Sequence, residues 1–586
     1  MITSSTFQEY LSSKESLSSE SLTPSESLPL EPLPSSSNRS VSGQEHHLLR
    51  LLATLPSQTQ AQQALQLEKI LTVLREINIE GRQRLKLMTA VIDASDPLIA
   101  SLRQHYIYEI GALSDTQMAY MAQVKSLYYL IIMVYDRVIR YKQSLLSSHK
   151  KQTTGISWQR YFKADNASTI LATAIYKALS TYQKLLGEDA ICYQKPSSYL
   201  WLRINQLYSL ACERHVANLN LNITKDAKSS FHTNTIHQRY GQICLLSLLN
   251  VRAMPRSNIL IVQRLLPEWS EHITATIEPK TETRVFVDLN SDQPPTYLTA
   301  NSDINPYEDH HHCLFIELAP MVDHLRARVQ TLIKENSEGI ECHLLNKIAM
   351  TMTYRYLQPQ PILVTKYPVI EKAVMIIGFN KIHYRVSGSQ NFRSLIAMND
   401  LPKDQWPRYD TSSQKQDSGD VFVHETLPTN PDASLFRTLQ LVTKAESLLP
   451  VNKFAPTAPP PLSTMSLFLL CRSEMSAQPH WSMGMVRWLN LDTKDPEVEW
   501  QVLGHALVAC GLRLEGSARR SQYFVPAFVL GRDEQLQTTG TLIVPTAYFQ
   551  TDDRVIMRIS TKQTPLRLGK RLLVTDEFSQ YEVMTL

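Results

Sequence analysis

The spacing of hydrophobic residues changes along the chain, and this change constrains the fold more than any other feature. From His46 to about Ile277 apolar residues recur every three or four positions, which is typical of amphipathic helices. After residue 461 the chain consists of short apolar runs separated by Gly, Asp, Pro and Thr, the pattern of an antiparallel β-barrel or sandwich. The sequence therefore predicts an α+β multidomain protein, with an N-terminal all-α bundle, a mixed middle segment and a C-terminal antiparallel β-barrel.

The helical half contains at least seven predicted helices but no clean 34-residue repeat, so an irregular bundle is favoured over repeated hairpins. Ser95 is predicted to cap a helix whose first turn contains Pro97, and Ser114 or Asp115 to cap a long one. The apolar stretch "LYYLIIMV" (127–134) is far shorter than the roughly 20 residues that a bilayer requires, so we expect a buried helix and no membrane span.

Composition suggests where the domains begin and end. Residues 1–44 are rich in Ser, Glu, Leu and Pro and are expected to form a disordered tail. Residues 45–280 form the helical domain, and 281–390 a mixed α/β segment leading into the first barrel-like strands. Residues 391–461 are expected to be a polar, Pro-rich linker or insertion, and 462–586 the β-barrel domain. Within the mixed segment, "AVMIIGFNKIHYRV" (373–386) is expected to form a hairpin or bulged strand around Gly378.

The net charge, the cysteine spacing and the N-terminal composition limit the classes of function. The net charge is only +4, from 59 Lys and Arg against 55 Asp and Glu, so a nucleic-acid interface is not expected. The seven cysteines are spread singly without a CxxC pair, and the N-terminus lacks the basic and apolar regions of a secretion signal. These features predict a cytoplasmic protein.

A search for catalytic motifs yields little. The chain has no P-loop, GxGxxG, HExxH or Gly-x-Ser-x-Gly pattern, so we expect that it is not an enzyme. One alternative is a metal-dependent enzyme using Asp288, Asp292 and the 310–312 histidines, although Asp next to a turn more often bonds local backbone. Another is a weak nucleic-acid binder using "SARRS" (517–521) and the barrel face.

Four segments in a fixed order carry a family resemblance. They are "VFVDLNSDQPP" (285–295), "HLRARVQTL" (324–332), "GFNKIHYRV" (378–386) and "MGMVRWL" (483–489), the last containing Gly484, Val486, Arg487 and Trp488. Each is weak alone, but together and in this order they resemble the large atypical PilZ-type proteins of proteobacteria. The similarity covers most of residues 46–586.

The resemblance implies a non-enzymatic bacterial signalling or scaffold protein. Its helical half would bind partner proteins, and its PilZ-like barrel would be a receptor for cyclic di-GMP or a degenerate form of one. No cofactor is implied. The output would be the regulation of surface motility or biofilm formation.

This chain departs from both ligand motifs of that family. Ahead of the 373–386 segment it has "PQPILVTKYPVIEK" and no RxxxR, and Leu462, Thr464 and Leu467 stand where the family has an acid, a serine and a glycine. These departures count against binding through the usual residues. Guanidinium groups suit phosphates and guanine edges. The candidate ligand-binding residues are therefore Arg487, Arg472, Arg519 and Arg520.

Strand alternation around Arg487 gives a prediction for its role. Val486 and Trp488 are predicted to point into the barrel, which leaves Arg487 on the outer face. With the neighbouring ligand motifs altered, the alternation favours a structural arginine there over a ligand contact.

Overall fold

A computed structural model describes residues 41–150, 158–221, 235–278, 283–299, 302, 304–308, 312–335, 337, 339–358, 369–407, 421–427, 435–442, 458–472, 480–492, 496–516, 523–533, 539–546 and 548–585. Residues 1–40 of the predicted disordered tail lie outside these ranges. The last residues of that predicted tail are helical, because the first described helix begins at Val41.

The helical N-terminal region is confirmed. Its helices are α1 (Val41–Ala53), α2 (Gln60–Glu76), α3 (Gly81–Gln104), α4 (Asp115–Lys150), α5 (Trp158–Ile191), α6 (Ser198–Glu213), α7 (Ile236–Leu248) and α8 (Arg256–Trp269). The 127–134 stretch is part of α4, and six of its eight residues are buried in one continuous helical core. In the part of the chain that the structure describes, no helix is both long and apolar enough to cross a membrane.

Two predicted helix starts had different outcomes. Ser114 caps α4 as expected: its hydroxyl accepts from the Gln117 backbone N–H at 3.4 Å, and the Gln117 side chain accepts from the Ser114 N–H at 2.9 Å. The start predicted at Ser95 is wrong, because α3 runs unbroken from Gly81 through Pro97. Burial of Leu98 and Leu102 outweighs the hydrogen bond that a proline inside a helix removes.

The middle segment is mixed, as expected, and shares the helical core. Its sheet has the order β1-β4-β2-β3, with strands β1 (Thr274–Thr276), β2 (Val285–Asp288), β3 (Thr296–Tyr297) and β4 (Cys313–Glu317). Two helices follow, α9 (Ala319–Lys334) and α10 (Ile340–Met352), and α10 continues into a π-helix at Thr353–Leu357. Apolar residues of the sheet and of both helices belong to the same buried cluster as α1–α8.

The expected C-terminal barrel is present, but the strands form two barrels. The first is closed in the order β10-β7-β6-β5-β8-β9. Its strands are β5 (Val369–Ile377), β6 (Val421–Leu427), β7 (Phe436–Leu441), β8 (Leu467–Arg472), β9 (Trp481–Asn490) and β10 (Glu497–Gly504). The second closes as β11-β12-β13-β16-β15-β14, with β11 (Leu507–Leu514), β12 (Val525–Leu530), β13 (Thr541–Pro545), β14 (Arg554–Ile559), β15 (Lys562–Val574) and β16 (Phe578–Thr585).

The first barrel uses residues that the sequence assigned elsewhere. Strands β6 and β7 lie inside the 391–461 stretch that was expected to be a linker. These two strands lack a plain apolar alternation, because two of their interior positions are charged: Glu425 and Arg437 are each at most 2% exposed. The hairpin expected at 373–386 is also absent. Instead β5 ends at Ile377, Gly378 follows with a φ of 95° that suits glycine, and a helix, α11 (Phe379–Val386), begins.

The two barrels are packed against each other. Apolar residues on the outer faces of β8 and β9 join residues from β12, β13, β15 and β16 in one buried cluster. Helix α11 contributes Ile382 to this cluster, and the imidazole Nε2 of His383 lies 3.0 Å from the carbonyl oxygen of Cys510 in β11. A short helix, α12 (Phe392–Leu395), covers the second barrel with Phe524.

Inside the first barrel, the core is built around Trp500. Gly484 of β9 faces this ring so closely that a Cβ atom there would lie 2.3 Å from Trp500 Cε3 and 2.8 Å from Phe468 Cζ. Glycine is therefore required at this position of the "MGMVRWL" segment for the strand to approach the indole.

Candidate functional site

Arg487 lies in a β-bulge on the first barrel. Trp488 pairs with Glu499 and Val486 pairs with Trp500, so Arg487 is an extra residue without a partner on β10. The bulge shifts the alternation: Val486 and Leu489 are core residues of the barrel, while Trp488 is only half-buried on its outside. The prediction that Trp488 points inward is therefore wrong, whereas Arg487 is at the outer surface as predicted.

The Arg487 guanidinium has a neutral partner. Its Nε donates to Gln501 Oε1 at 2.9 Å, and its Nη2 donates to the same oxygen. Among the described residues, no carboxylate pairs with it. Burial lowers the pKa of Arg487 to about 10, which the nearby Tyr354 hydroxyl partly offsets. A partly desolvated guanidinium with only an amide for a partner is suited to bind an anion.

The π-helix places three side chains against Glu499 and Trp488, next to this arginine in the barrel wall. Arg355 Nη1 lies 2.8 Å from Glu499 Oε1, and the Tyr354 hydroxyl donates to Glu499 Oε2 at 2.8 Å. The Arg355 guanidinium also lies over the Trp488 ring at 4.9 Å, and the Tyr356 ring meets that indole edge-on. A π-helix is rare and is often found at functional sites.

We call the residues gathered here the Arg487 surface: Arg487, Trp488, Glu499, Gln501, Tyr354 and Arg355. Together they supply two guanidinium groups, an indole plane and one carboxylate. This combination can hold phosphate oxygens through bidentate hydrogen bonds and a planar base through stacking. Of these residues, the sequence singled out only Arg487 as a candidate ligand contact, although Trp488 belongs to the same family motif. The π-helix partners were missed because they lie about 130 residues away in sequence and no strand or helix period marks them.

Arg472 is not available to a ligand. Its guanidinium makes two hydrogen bonds to the Glu425 carboxylate, at 2.7 and 2.9 Å, and a third to the Ser482 hydroxyl at 2.5 Å. Both members of this pair are buried inside the first barrel, and Arg437 Nη1 lies 3.3 Å from the same carboxylate. The ligand role predicted for Arg472 is therefore not supported, and the geometry assigns it to the internal ion cluster.

The other two predicted arginines, Arg519 and Arg520, lie outside the described residues, so their roles stay predictions. Their neighbour Arg513, in β11, donates through Nη1 to the Leu514 carbonyl oxygen at 3.1 Å and lies over the Phe524 ring. It belongs to the second barrel.

The turn that corresponds to the family's ligand motif is occupied by buried side chains and leaves no space for a ligand at its residues. Leu462, Thr464 and Leu467 are each at most 1% exposed, and the Thr464 N–H donates to the Ala253 carbonyl oxygen at 3.3 Å. Met465 has a φ of 68°, so the chain still turns sharply there. The 463–467 turn is thus a packed junction between the helical domain and the first barrel.

The described residues of the alternative enzyme site take part in local backbone contacts. Asp288 Oδ1 accepts from the Asn290 N–H at 2.9 Å, and Asn205 of α6 donates to the carbonyl oxygens of Ser291 and Gln293. The "DLNSDQ" acid thus stabilises a turn. Of the 310–312 histidines only His312 is described. In the ranges that the structure describes, no three His, Cys, Asp or Glu side chains are grouped to hold a metal ion.

The helical N-terminal region and the two closed β-barrels make this chain an α+β multidomain protein. Comparisons with known proteins identify its family. Residues 46–280 match the family "Cyclic-di-GMP receptor FimW, N-terminal domain", and residues 510–586 match the "FimW C-terminal beta-barrel domain". The chain belongs to the FimW family of large PilZ-type-like proteins.

A curated relative spans nearly the whole chain. It is the cyclic-di-GMP receptor FimW of Pseudomonas aeruginosa, 21% identical over 575 residues that cover 91% of this chain and 89% of the relative. No solved structure matches the chain significantly. The family resemblance inferred from the four short segments is therefore confirmed. The first barrel, which carries the Arg487 surface, lies between the two family matches.

Proposed function

We propose that this chain is a non-enzymatic receptor for cyclic di-GMP and that the ligand binds at the Arg487 surface. Two lines of reasoning support the proposal. The homologous FimW is a cyclic-di-GMP receptor and is similar along nearly its full length. The Arg487 surface offers the chemistry that a ligand with two phosphates and two guanines requires.

The observation that carries the proposal is the position of Arg487. A bulge presents its guanidinium at the surface of the barrel, where Gln501 is its neutral partner and a stacked Arg355–Trp488 pair is adjacent. A phosphate at Arg487 would replace a neutral amide acceptor with an anionic one. A guanine would use the indole, the second guanidinium or the Glu499 carboxylate, which can accept from its N–H groups.

Arg487→Gln is the direct test. Calorimetric titration of the full chain with cyclic di-GMP should show saturable binding, and Arg487→Gln should weaken it about tenfold or more, the loss expected for one charged hydrogen-bonding group. Arg567→Gln is the matched control, since Arg567 is an exposed arginine of the second barrel that pairs with Asp552. Equal affinities for wild type and Arg487→Gln would refute the site.

We further propose that the output is a protein contact made in the cytoplasm by the helical domain, and that it regulates surface motility or biofilm formation. The order of domains supports this: the helical region matches the FimW N-terminal domain, and the second barrel matches the FimW C-terminal beta-barrel domain. The tagged full chain should capture a partner protein from a bacterial lysate, in an amount that changes when cyclic di-GMP is added. Capture that does not change with the dinucleotide would refute a ligand-regulated contact.

A further inference from the structure

The loop between α3 and α4 exposes two large apolar side chains. Tyr108 is 75% exposed and Ile110 is 91% exposed, the highest values of any large hydrophobic residue in the part of the chain that the structure describes. Single exposed apolar residues are ordinary on a protein surface, whereas a contiguous apolar patch marks an interaction site. The backbone and the surroundings of this loop therefore decide what the two side chains do.

The backbone of this loop is fixed by a buried arginine. Arg256 of α8 is 4% exposed, and its Nη1 donates to the carbonyl oxygens of Glu109 and Gly111 at 2.6 and 2.7 Å. Its Nε donates to the Ile191 carbonyl oxygen at 2.9 Å, which ties the loop to the end of α5. The exposed side chains are thus presented on a rigid backbone, so little conformational freedom is lost when they bind.

An apolar groove of about 360 Å³ lies beside these two side chains. Its walls come from the loop, from the start of α8 and from the segment ahead of β8. The lining residues outside the loop include Tyr193, Met254, Pro255, Pro459 and Pro460. The groove has room for two side chains of the size of Tyr108 and Ile110. We call the loop and the groove together the Ile110 surface; it carries an apolar projection and, next to it, a recess of matching size.

The charged residues of the Ile110 surface are already bonded within the chain. Among the described residues that line the groove, only Glu109 and Arg256 are charged. The Glu109 carboxylate accepts from the backbone N–H groups of Ile110 and Gly111 at 3.2 and 3.3 Å, and Gln117 Nε2 donates to it at 3.2 Å. A two-fold contact brings like residues together, so a free charge there would be repelled by its own copy. The bonded charges therefore suit a contact between identical chains better than one with a charged partner.

We propose that the Ile110 surface is a self-association interface, in which Tyr108 and Ile110 of each copy enter the groove of a second copy. The contact is symmetric, because the projection and the groove lie side by side and each copy supplies both. Two loops in two grooves form a small interface, so we expect association in the micromolar range. The inference does not depend on the proposed ligand site.

Sedimentation velocity of the full chain measures the association. Between about 1 and 100 µM, the wild type should shift from the mass of one chain toward twice that mass. Ile110→Asp places a charge on the projection and should weaken association about tenfold or more. Ser257→Trp fills the groove from an exposed position of α8 and should have the same effect. Ile340→Asp is the matched control, because this isoleucine is 69% exposed at the start of α10; it should associate like wild type.

Amide hydrogen exchange locates the contact. Segments 106–111 and 254–258 should exchange more slowly at high protein concentration than at low concentration. A wild-type chain that stays monomeric over the whole range overturns the proposal, including the case in which a segment of the same chain covers the groove. A dimer that Ile110→Asp and Ser257→Trp leave intact, or whose protected segments lie elsewhere, overturns the assignment to this surface.

Discussion

Gly484→Ala should destabilise the first barrel strongly. The new Cβ atom would lie 2.3 Å from Trp500 Cε3, 2.6 Å from Cζ3 and 2.8 Å from Phe468 Cζ, where ordinary contacts begin near 3.4 Å. The Trp500 ring is fully buried against Phe468, with the Arg437 guanidinium 5.9 Å from its centre, so it has little room to move. Overpacking costs about 1–3 kcal/mol, and we expect the upper end of that range.

Thermal unfolding followed by tryptophan fluorescence measures the effect. A multidomain chain unfolds in more than one step, so the transition of the first barrel is the one to compare. A loss of about 3 kcal/mol should lower that midpoint by roughly 6–12 °C. Gly339→Ala is the matched control, because a Cβ there would meet nothing within 4 Å. Combining Gly484→Ala with Trp500→Phe should recover part of the loss. An unchanged midpoint in Gly484→Ala, or no recovery in the double variant, would refute this packing.

Three further perturbations test other parts of the structure. Burial lowers the pKa of His383 to about 4, below the unfolded value near 6.5. The unfolded state therefore takes up the proton first, stability falls by up to ~3 kcal/mol between pH 6.5 and 4, and His383→Gln should make unfolding midpoints less pH-dependent. Glu425→Ala should cost about 3–5 kcal/mol in denaturant unfolding by leaving two buried arginines without their carboxylate, whereas the exposed Glu515→Ala should be neutral. Asn205→Ala should speed amide exchange at 288–293, because it removes the donor to the Ser291 carbonyl oxygen. It should also cost about 2 kcal/mol of stability, because the buried Tyr240 hydroxyl loses its acceptor. Unchanged exchange would count against the role of Asn205 in holding the 288–293 turn.

The helical half and the existence of a barrel could be predicted because their signals are local. A stripe such as that of α2 repeats within one helix, and the strands of the second barrel are short apolar runs with turn residues between them. The division of the strands into two closed barrels could not be predicted, because the first barrel closes by pairing β5 with β8, which lie far apart in the sequence. Strands β6 and β7 were missed because each has a charged residue at an interior position, Glu425 and Arg437. These two side chains form a buried ion pair, which cannot be inferred from the sequence.

The candidate site was only partly predictable. The family motif singled out Arg487, but strand alternation assigned Trp488 the wrong direction, because a bulge changes the phase of every residue after it. Arg472 had the right chemistry for a ligand and the wrong location, since its Glu425 partner comes from a strand that the sequence did not reveal. Tyr354 and Arg355 join the site through tertiary packing of the π-helix alone.

Mapping the footprint of cyclic di-GMP tests the receptor proposal most directly. Hydrogen exchange of the full chain should be compared with and without saturating dinucleotide, at peptide resolution. The proposal predicts slower exchange at 353–357 and 483–490, the segments that contain Arg355 and Arg487. Protection confined to segments outside these two, or none at a concentration where binding is saturated, would contradict the assignment of the ligand to the Arg487 surface.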